Sequence, residues 1–307
     1  MTETRGSEAD GTSLGTGTVA VLVLAQRAPR CLEALARTFD VPGYRTYVHL
    51  DRKVEPAAYA LDRRWPDNLT FVAERFEVFW GGFNMIRATE SLACEALQDP
   101  RHTAFALVSD DTLPLLPPDR IRAALGSTAD RIDVGLSKRN PPFLRRYTDW
   151  FFLDSAATSA RPLAVQDRAV EGAALDALGR LTRLRERGKF PVPEVWGGSQ
   201  WWTLGRETLT AILAELAGNE WLRESFEFSA VPDELAFQTI HANRLGLTAR
   251  SFTGPMLTDV SREPAPFVFR TLDEPPPIPP GKLFLRKIAD DAAAAVIAQL
   301  ESRWKEG

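Results

Sequence analysis

The sequence predicts an α/β protein built on a parallel sheet, with a ligand cleft at the carboxyl ends of its strands. Three observations lead there. The run TVAVLVLA (18–25) is apolar at every position, as a strand buried on both faces requires. Segments of helical period alternate with further strand-like runs as far as residue 111. Two of those runs end on acids, at Asp51 and at Ser109-Asp110-Asp111.

The elements follow in order. PRCLEALARTF (29–39) begins on a Pro and repeats Leu32, Leu35, Ala36 and Phe39 at helical spacing. RTYVHLD (45–51) is a second strand and LTFV (69–72) a short third. NMIRATESLACEALQ (84–98) is a helix capped by Asn84 and striped by Ile86, Leu92, Ala93 and Ala96. HTAFALVSDD (102–111) is a fourth strand. Such a strand–helix–strand rhythm gives right-handed crossovers and a parallel sheet.

The middle of the chain is less regular. FLRRYTDWFF (143–152) is basic and aromatic, and its Arg145, Arg146 and Tyr147 are candidates for an acceptor cleft. An Ala/Leu/Arg helix ends near Gly188, and PVPEVWGG (191–198) is a loop. RETLTAILAEL (206–216) and DELAFQTIHAN (233–243) are helical. EPPPIPPG (274–281) is an extended surface connection, because Pro lacks the donor that helix and central strand need. LFLRKI (283–288) and a final helix over 290–304 close the chain. The expected organisation is a disordered tail (1–17), a single domain (18–290) and a C-terminal helical segment (291–307), with no internal repeat.

Composition narrows the function. The chain has 307 residues, 44% hydrophobic and 25% charged, which is ordinary for a globular protein large enough to bury a core without disulfides. A net charge of −4 argues against a general nucleic-acid binder. Basic residues cluster in KRNPPFLRR (138–146) and RLTRLRERGKF (180–190). The second is read as a solvated helix face, with a phosphate-rich ligand or an anionic membrane surface as the alternative. His49, His102 and His241 lack metal-ligand spacing, and no metal or other cofactor is expected. Cys31 and Cys94 lie in apolar helical patterns and are expected as buried free thiols. No run approaches a membrane span, and the polar start is unlike a signal peptide. The expectation is a cytoplasmic protein with, at most, peripheral contact at an inner membrane face.

The densest chemistry lies between Ser199 and Gln238. GSQWWTL (198–204) sets Ser199 and Gln200 beside Trp201 and Trp202, and VPDELAFQTI (231–240) sets Asp233 and Glu234 at a helix mouth. Aromatic plates and a helix-mouth carboxylate suit holding a sugar and deprotonating a hydroxyl.

These motifs resemble those of the core 2/I-branching β-1,6-N-acetylglucosaminyltransferases and the related peptide O-xylosyltransferases. The resemblance runs over about residues 18–290. It rests on Ala25-Gln26 after the first strand, HLD (49–51), WGGFNMIRAT (80–89), VSDDTLPL (108–115), GSQWWTL, VPDELAFQTI and LFLRKI, in that order. It implies a GT-A type fold, a Rossmann-like nucleotide-binding half fused to an acceptor half. It also implies a UDP-sugar donor, a glycan or protein hydroxyl as acceptor, inversion at the anomeric carbon, and basic side chains in place of a metal. By this resemblance Glu234 is the catalytic base and Lys287 neutralises the diphosphate. Arg262, or less well Arg270, is the partner arginine, Asp51 contacts the uridine, and Ser109 sits at the family's serine just before the position where other GT-A enzymes keep an Asp-x-Asp metal motif. The chain is expected to carry no membrane anchor like that of the animal enzymes, it has two cysteines where they have many, and it reads SDDTLP where they carry an acid two residues before the proline.

Each role has a plainer alternative. Asp233 and Glu234 could simply favour a helix N-terminus, worth about 0.3–1 kcal/mol each. Arg286-Lys287 could be a solvated pair at a strand end. Adjacent residues of a strand face opposite ways, so one of Trp201 and Trp202 is expected in the core and one in the site. Trp80 is read as packing in preference to binding. Two other functions stay open: a catalytically silent binder of nucleotide-sugar or glycan, and a metal-dependent transferase using Asp110 and Asp111.

Overall fold

The computed structural model describes residues 17–60, 65–126, 130–136, 146–147, 151, 153–155, 192–246, 253–263, 265–272 and 278–306. Its strands are β1 (Thr18–Ala25), β2 (Tyr44–Leu50), β3 (Leu69–Phe71), β4 (His102–Ser109), β5 (Thr112–Pro114), β6 (Gly135–Leu136), β7 (Trp196–Gly197), β8 (Thr203–Gly205), β9 (Met256–Thr258) and β10 (Phe284–Arg286). Its α-helices are α1 (Pro29–Thr38), α2 (Asn84–Leu97), α3 (Pro118–Gly126), α4 (Arg206–Gly218), α5 (Glu220–Glu227), α6 (Ala236–Ile240) and α7 (Ala293–Glu306).

The main sheet has the order β3-β2-β1-β4-β8. The first four strands are parallel, as the β-branched runs predict, and β8 closes the edge antiparallel to β4. That reversal was not legible beforehand, because a three-residue strand carries almost no periodicity. The register matters for function. Ala25 pairs with Leu50 and Leu24 with Ser109, so three strands stop level with one another. Asp51 and Asp110 therefore begin the same edge, where open α/β sheets bind ligands. The GT-A-like α/β architecture is thus present.

The β1 side chains from Val19 to Ala25 are buried, which explains the unbroken apolar run. A second sheet, β5-β10-β9, has β10 antiparallel to β5 and parallel to β9. It carries the chain end back so that Arg286 and Lys287 leave β10 at the carboxyl edge of the first sheet. The short pair β6-β7 completes the other flank.

Several local expectations need correction. Asn84 does not cap α2 with its side chain; its N–H donates to both carboxylate oxygens of Asp154 at 3.1 Å. Cys31 is buried but Cys94 is exposed, standing next to the buried stripe of Ala93 and over Glu90 one turn before it. The segment after Val231 is not one helix. Pro232–Glu234 forms a 3₁₀ turn, α6 follows, and His241–Leu245 widens into a π turn. The N-terminal tail to residue 16, the two basic clusters except Arg146, most of FLRRYTDWFF including Arg145, the helix ending near Gly188 and residues 274–277 of the Pro-rich run lie outside the described residues. Among the described residues, no helix is long and apolar enough to cross a membrane.

The C-terminal segment locks onto the first helix. Asp290 Oδ1 accepts the N–H groups of Arg30 at 2.7 Å and Cys31 at 3.0 Å, satisfying donors that the start of α1 leaves open. Trp304 Nε1 donates to the Leu115 carbonyl at 2.9 Å from the far end of α7. Replacing Asp290 by Ala is expected to cost about 1 kcal/mol, as loss of a capping acceptor does. The check is a lower urea midpoint with an unchanged denaturant slope.

Candidate active site

A cleft of about 760 Å³ opens at the carboxyl ends of β1, β2 and β4. Its floor is set by Asp110. One carboxylate oxygen, Oδ2, accepts the backbone N–H groups of Gln26, Arg27 and Ala28, each at 2.8 Å, and also the Tyr59 hydroxyl. The β1–α1 turn is thereby wrapped around the end of β4.

Asp111 is engaged differently. Ser109 Oγ donates to its Oδ1, Arg27 approaches Oδ2 at 3.0 Å, and Arg286 Nε lies 3.5 Å from Oδ1. Burial alone would raise the Asp111 carboxyl, but Arg286, Ser109 and Arg27 together hold it below the usual carboxylate range. Ser109 Oγ also meets Thr112 Oγ1 at 3.0 Å. The Arg286 guanidinium is sandwiched between this carboxylate and the Trp201 ring, 4.6 Å from its centroid.

Lys287 comes next on the chain and lines the same cleft. Burial pushes its ammonium below the ordinary lysine value, the charges of Arg286 and Arg27 push it further, and Asp111 opposes them. No described residue gives it a hydrogen bond or an ion pair. Two guanidinium groups thus flank Asp111 and the Lys287 ammonium lies on the same wall, a local cluster of positive charge suited to an anionic ligand.

Asp51 lies where β2 ends and lines the cleft, its carboxylate held by Lys53 through Nζ at 2.7 Å and the backbone N–H at 2.9 Å. Behind it His49 is buried. Burial lowers its pKa to about 4, so the imidazole is neutral and its Nε2 accepts the Phe76 N–H at 2.9 Å.

The opposite wall comes from the two segments that the sequence singled out. Gly198 donates its N–H to the Glu234 carbonyl at 3.0 Å and so ties one motif to the other. A Cβ built on Gly198 would sit 1.7 Å from the Asp133 carbonyl oxygen, so the close approach demands glycine. Ser199 and Gln200 line the cleft, and the Gln200 amide nitrogen is buried without a partner among the described residues. The two tryptophans divide, although they precede β8 and do not lie in it. Trp201 lines the cleft, whereas Trp202 is fully buried and stacks on Phe237 at 5.2 Å. Trp202 is therefore a core residue, correcting its inclusion among sugar-binding candidates.

Glu234 and Asp233 both line the cleft. The Glu234 carboxylate is about one-third exposed and pairs with Arg146 at 2.6 Å. Asp233 is buried and its Oδ1 has neither solvent nor a donor among the described residues. Burial, reinforced by the adjacent Glu234, raises its pKa to about 7. The preceding Val231 has φ +54°, a left-handed conformation that is a genuine outlier for a β-branched residue and costs about 1–3 kcal/mol. Its N–H donates to the Gly81 carbonyl at 2.9 Å, and this bond holds the turn that aims the two acids.

Trp80 also lines the cleft and is 58% exposed, so the packing reading is corrected to a surface aromatic at the rim. Arg262 and Arg270 do not line it. Arg262 pairs with Asp259 at 2.6 Å and stacks 3.8 Å over Phe267, on a loop whose Val260 and Pro266 do reach the cleft. Arg270 pairs with Asp291 at 2.8 Å on the surface. The cations inside the cleft are Arg27 and Arg286 beside Lys287. Arg27 carried a readable signal, since it sits two residues beyond a buried strand at the edge where ligands bind.

A model of the core-2/I-branching enzyme family matches residues 19–258, most of the chain. The protein belongs to this family. It is accordingly a glycosyltransferase, a class that moves a sugar from a nucleotide-sugar donor to a glycan acceptor. Among curated proteins no match is found.

The family match and the geometry meet in the segment 198–234. Gly198→Ala is expected to destabilise this branching-family enzyme by about 3 kcal/mol, the upper end of overpacking costs, because the obstructing atom is backbone. Thermal unfolding of the variant checks this, with a fall of the melting temperature by several degrees expected.

Proposed function

We propose that the protein is an inverting glycosyltransferase that moves N-acetylglucosamine or xylose from a UDP-sugar to a glycan or protein hydroxyl, with Glu234 as general base and no divalent metal. The observation that carries this reading is the division of one cleft between a carboxylate wall and a cationic wall. Glu234 stands on the first; Lys287, Arg286 and Arg27 stand on the second.

The chemistry follows from that division. Glu234 accepts the proton of the acceptor hydroxyl as its oxygen attacks the anomeric carbon. The bond from that carbon to the β-phosphate oxygen breaks, and UDP departs from the opposite face. Charge growing on the departing diphosphate is offset by Lys287, which acts as a point charge, and by the arginines, which can grip two oxygens at once. Electrostatic stabilisation of this kind is usually the largest part of catalysis. Arg146 orients the Glu234 carboxylate through their ion pair. Asp51 is assigned to the uridine, Ser109 to the donor side, and Ser199, Gln200, Trp201 and Asp233 to the sugars.

The donor set supports metal independence. Asp110 Oδ2 is already saturated by three backbone donors and Tyr59, and both Asp111 oxygens face hydroxyl or guanidinium groups. A dication at Asp111 would have to displace cations that the fold has built in. The proposal includes a cytoplasmic location with peripheral contact at the inner membrane face, which sedimentation with anionic vesicles would test.

Glu234→Gln is expected to lower turnover by about 10²–10⁴-fold, the usual contribution of a positioned base, while UDP affinity is kept. Equal turnover of variant and parent would instead favour a silent binding protein. Separately, melting with a panel of UDP-sugars in chelator is expected to show a stabilisation of about 2.7 kcal/mol at one hundred times the dissociation constant. A shift seen only after adding manganese would move the donor site to Asp110 and Asp111. Lys287→Ala is expected to abolish the chelator-insensitive shift.

A further inference from the structure

The two adjacent acids at the carboxylate wall sit in opposite environments. Glu234 reaches partial solvent and a guanidinium. Asp233 is buried, and its Oδ1 has no hydrogen-bond donor among the described residues. An ionised carboxylate needs donors or water at both oxygens, and an uncompensated buried charge is among the costliest features a fold can hold. We infer that Asp233 serves as an uncharged carboxylic acid, a positioning residue whose retained proton keeps it from competing with Glu234 for Arg146.

The surroundings support this assignment. The charged groups acting on Asp233 are Glu234, which disfavours its ionisation, and Arg146, the weaker influence, which favours it. The helices packed on this turn are α2 and α6. On α2, Arg87 is committed to Glu227 at 2.8 Å and Glu90 to Arg223 at 2.6 Å. On α6, AFQTI carries no ionisable side chain. Were Asp233 to ionise, its charge would compete for Arg146 and loosen the ion pair that orients Glu234. The proton on Asp233 prevents that competition. This resembles other carboxyl pairs in which environment drives two neighbouring acids to different protonation states.

Two measurements test the inference, and only the second rests on the proposed role of Glu234. In the unfolded chain Asp233 ionises near pH 4, whereas in the fold it keeps its proton until about pH 7. The folded state then binds more protons than the unfolded one between those values, so this group's contribution falls as pH rises through that window. Asp233→Asn cannot titrate. Its melting temperature relative to the parent is expected to rise from pH 4.5 to pH 8. A constant difference would overturn the inference. If the variant does not fold, infrared spectra of the parent replace it: a protonated-carboxyl band present at pH 6 and lost at pH 8 is expected, and its absence at pH 6 overturns the inference.

The second measurement is turnover. In the parent, kcat is expected to fall about tenfold from pH 6 to pH 8, as loss of one proton near pH 7 dictates. In Asp233→Asn that alkaline fall is expected to vanish. Identical pH profiles, with the stability difference still present, would mean that the neutral acid exists without serving Glu234. Absence of turnover in both proteins would sink the positioning role together with the proposed function, while the melting series still decides the protonation state.

Discussion

The carboxylate of Asp110 holds the cleft together. One oxygen gathers three consecutive backbone N–H groups of the β1–α1 turn and the Tyr59 hydroxyl. Those donors lie in the turn just before α1, the last of them on Ala28, the N-cap residue of that helix. The pin joins the ends of β1 and β4, adjacent strands in the sheet. It also fixes where Arg27 leaves the turn, and so where the cationic wall begins. An acid that reads in sequence as half of a metal motif is in the fold an internal cap.

The second carboxylate of the doublet balances charge. Asp111 lies between Arg27 and Arg286 and offsets part of their mutual repulsion, without which two guanidinium groups and the Lys287 ammonium could hardly share a partly buried site. Asp111 pairs with the two guanidinium groups, and the Lys287 ammonium has no ion pair among the described residues. Trp201 beneath Arg286 adds a cation–π contact, commonly worth about 0.5–2 kcal/mol, and couples the cationic wall to the loop bearing Ser199 and Gln200.

The carboxylate wall depends on backbone that few residues tolerate. Gly198 lies against the Asp133 carbonyl, and Val231 is held at positive φ by its bond to Gly81. Strain of this sort persists only where the surroundings over-determine it, and it collects at functional sites. Here it aims two consecutive acids so that one keeps solvent and a cation while the other is enclosed. Two neighbours in sequence thereby acquire different chemistry.

The sequence by itself determined the parallel strands, the carboxyl-edge cleft and the family. Burial on both faces of β1 forces an unbroken apolar run, and helices impose their period on α1 and α2, so these are written residue by residue. Motif order carried Glu234 and Lys287, and only one of Trp201 and Trp202 was expected to face the site. Only the tertiary structure decided the rest. Asp110 and Asp111 look alike in sequence, yet one gathers backbone N–H groups and the other balances guanidiniums, because the turn at residues 26–28 and the Arg27 guanidinium lie more than eighty residues away. Trp80 proved exposed and Trp202 enclosed, since burial depends on what packs across from a side chain. Arg27 and Arg286 meet only when β1 and β10 reach the same edge, and no local pattern records a meeting between segments so far apart.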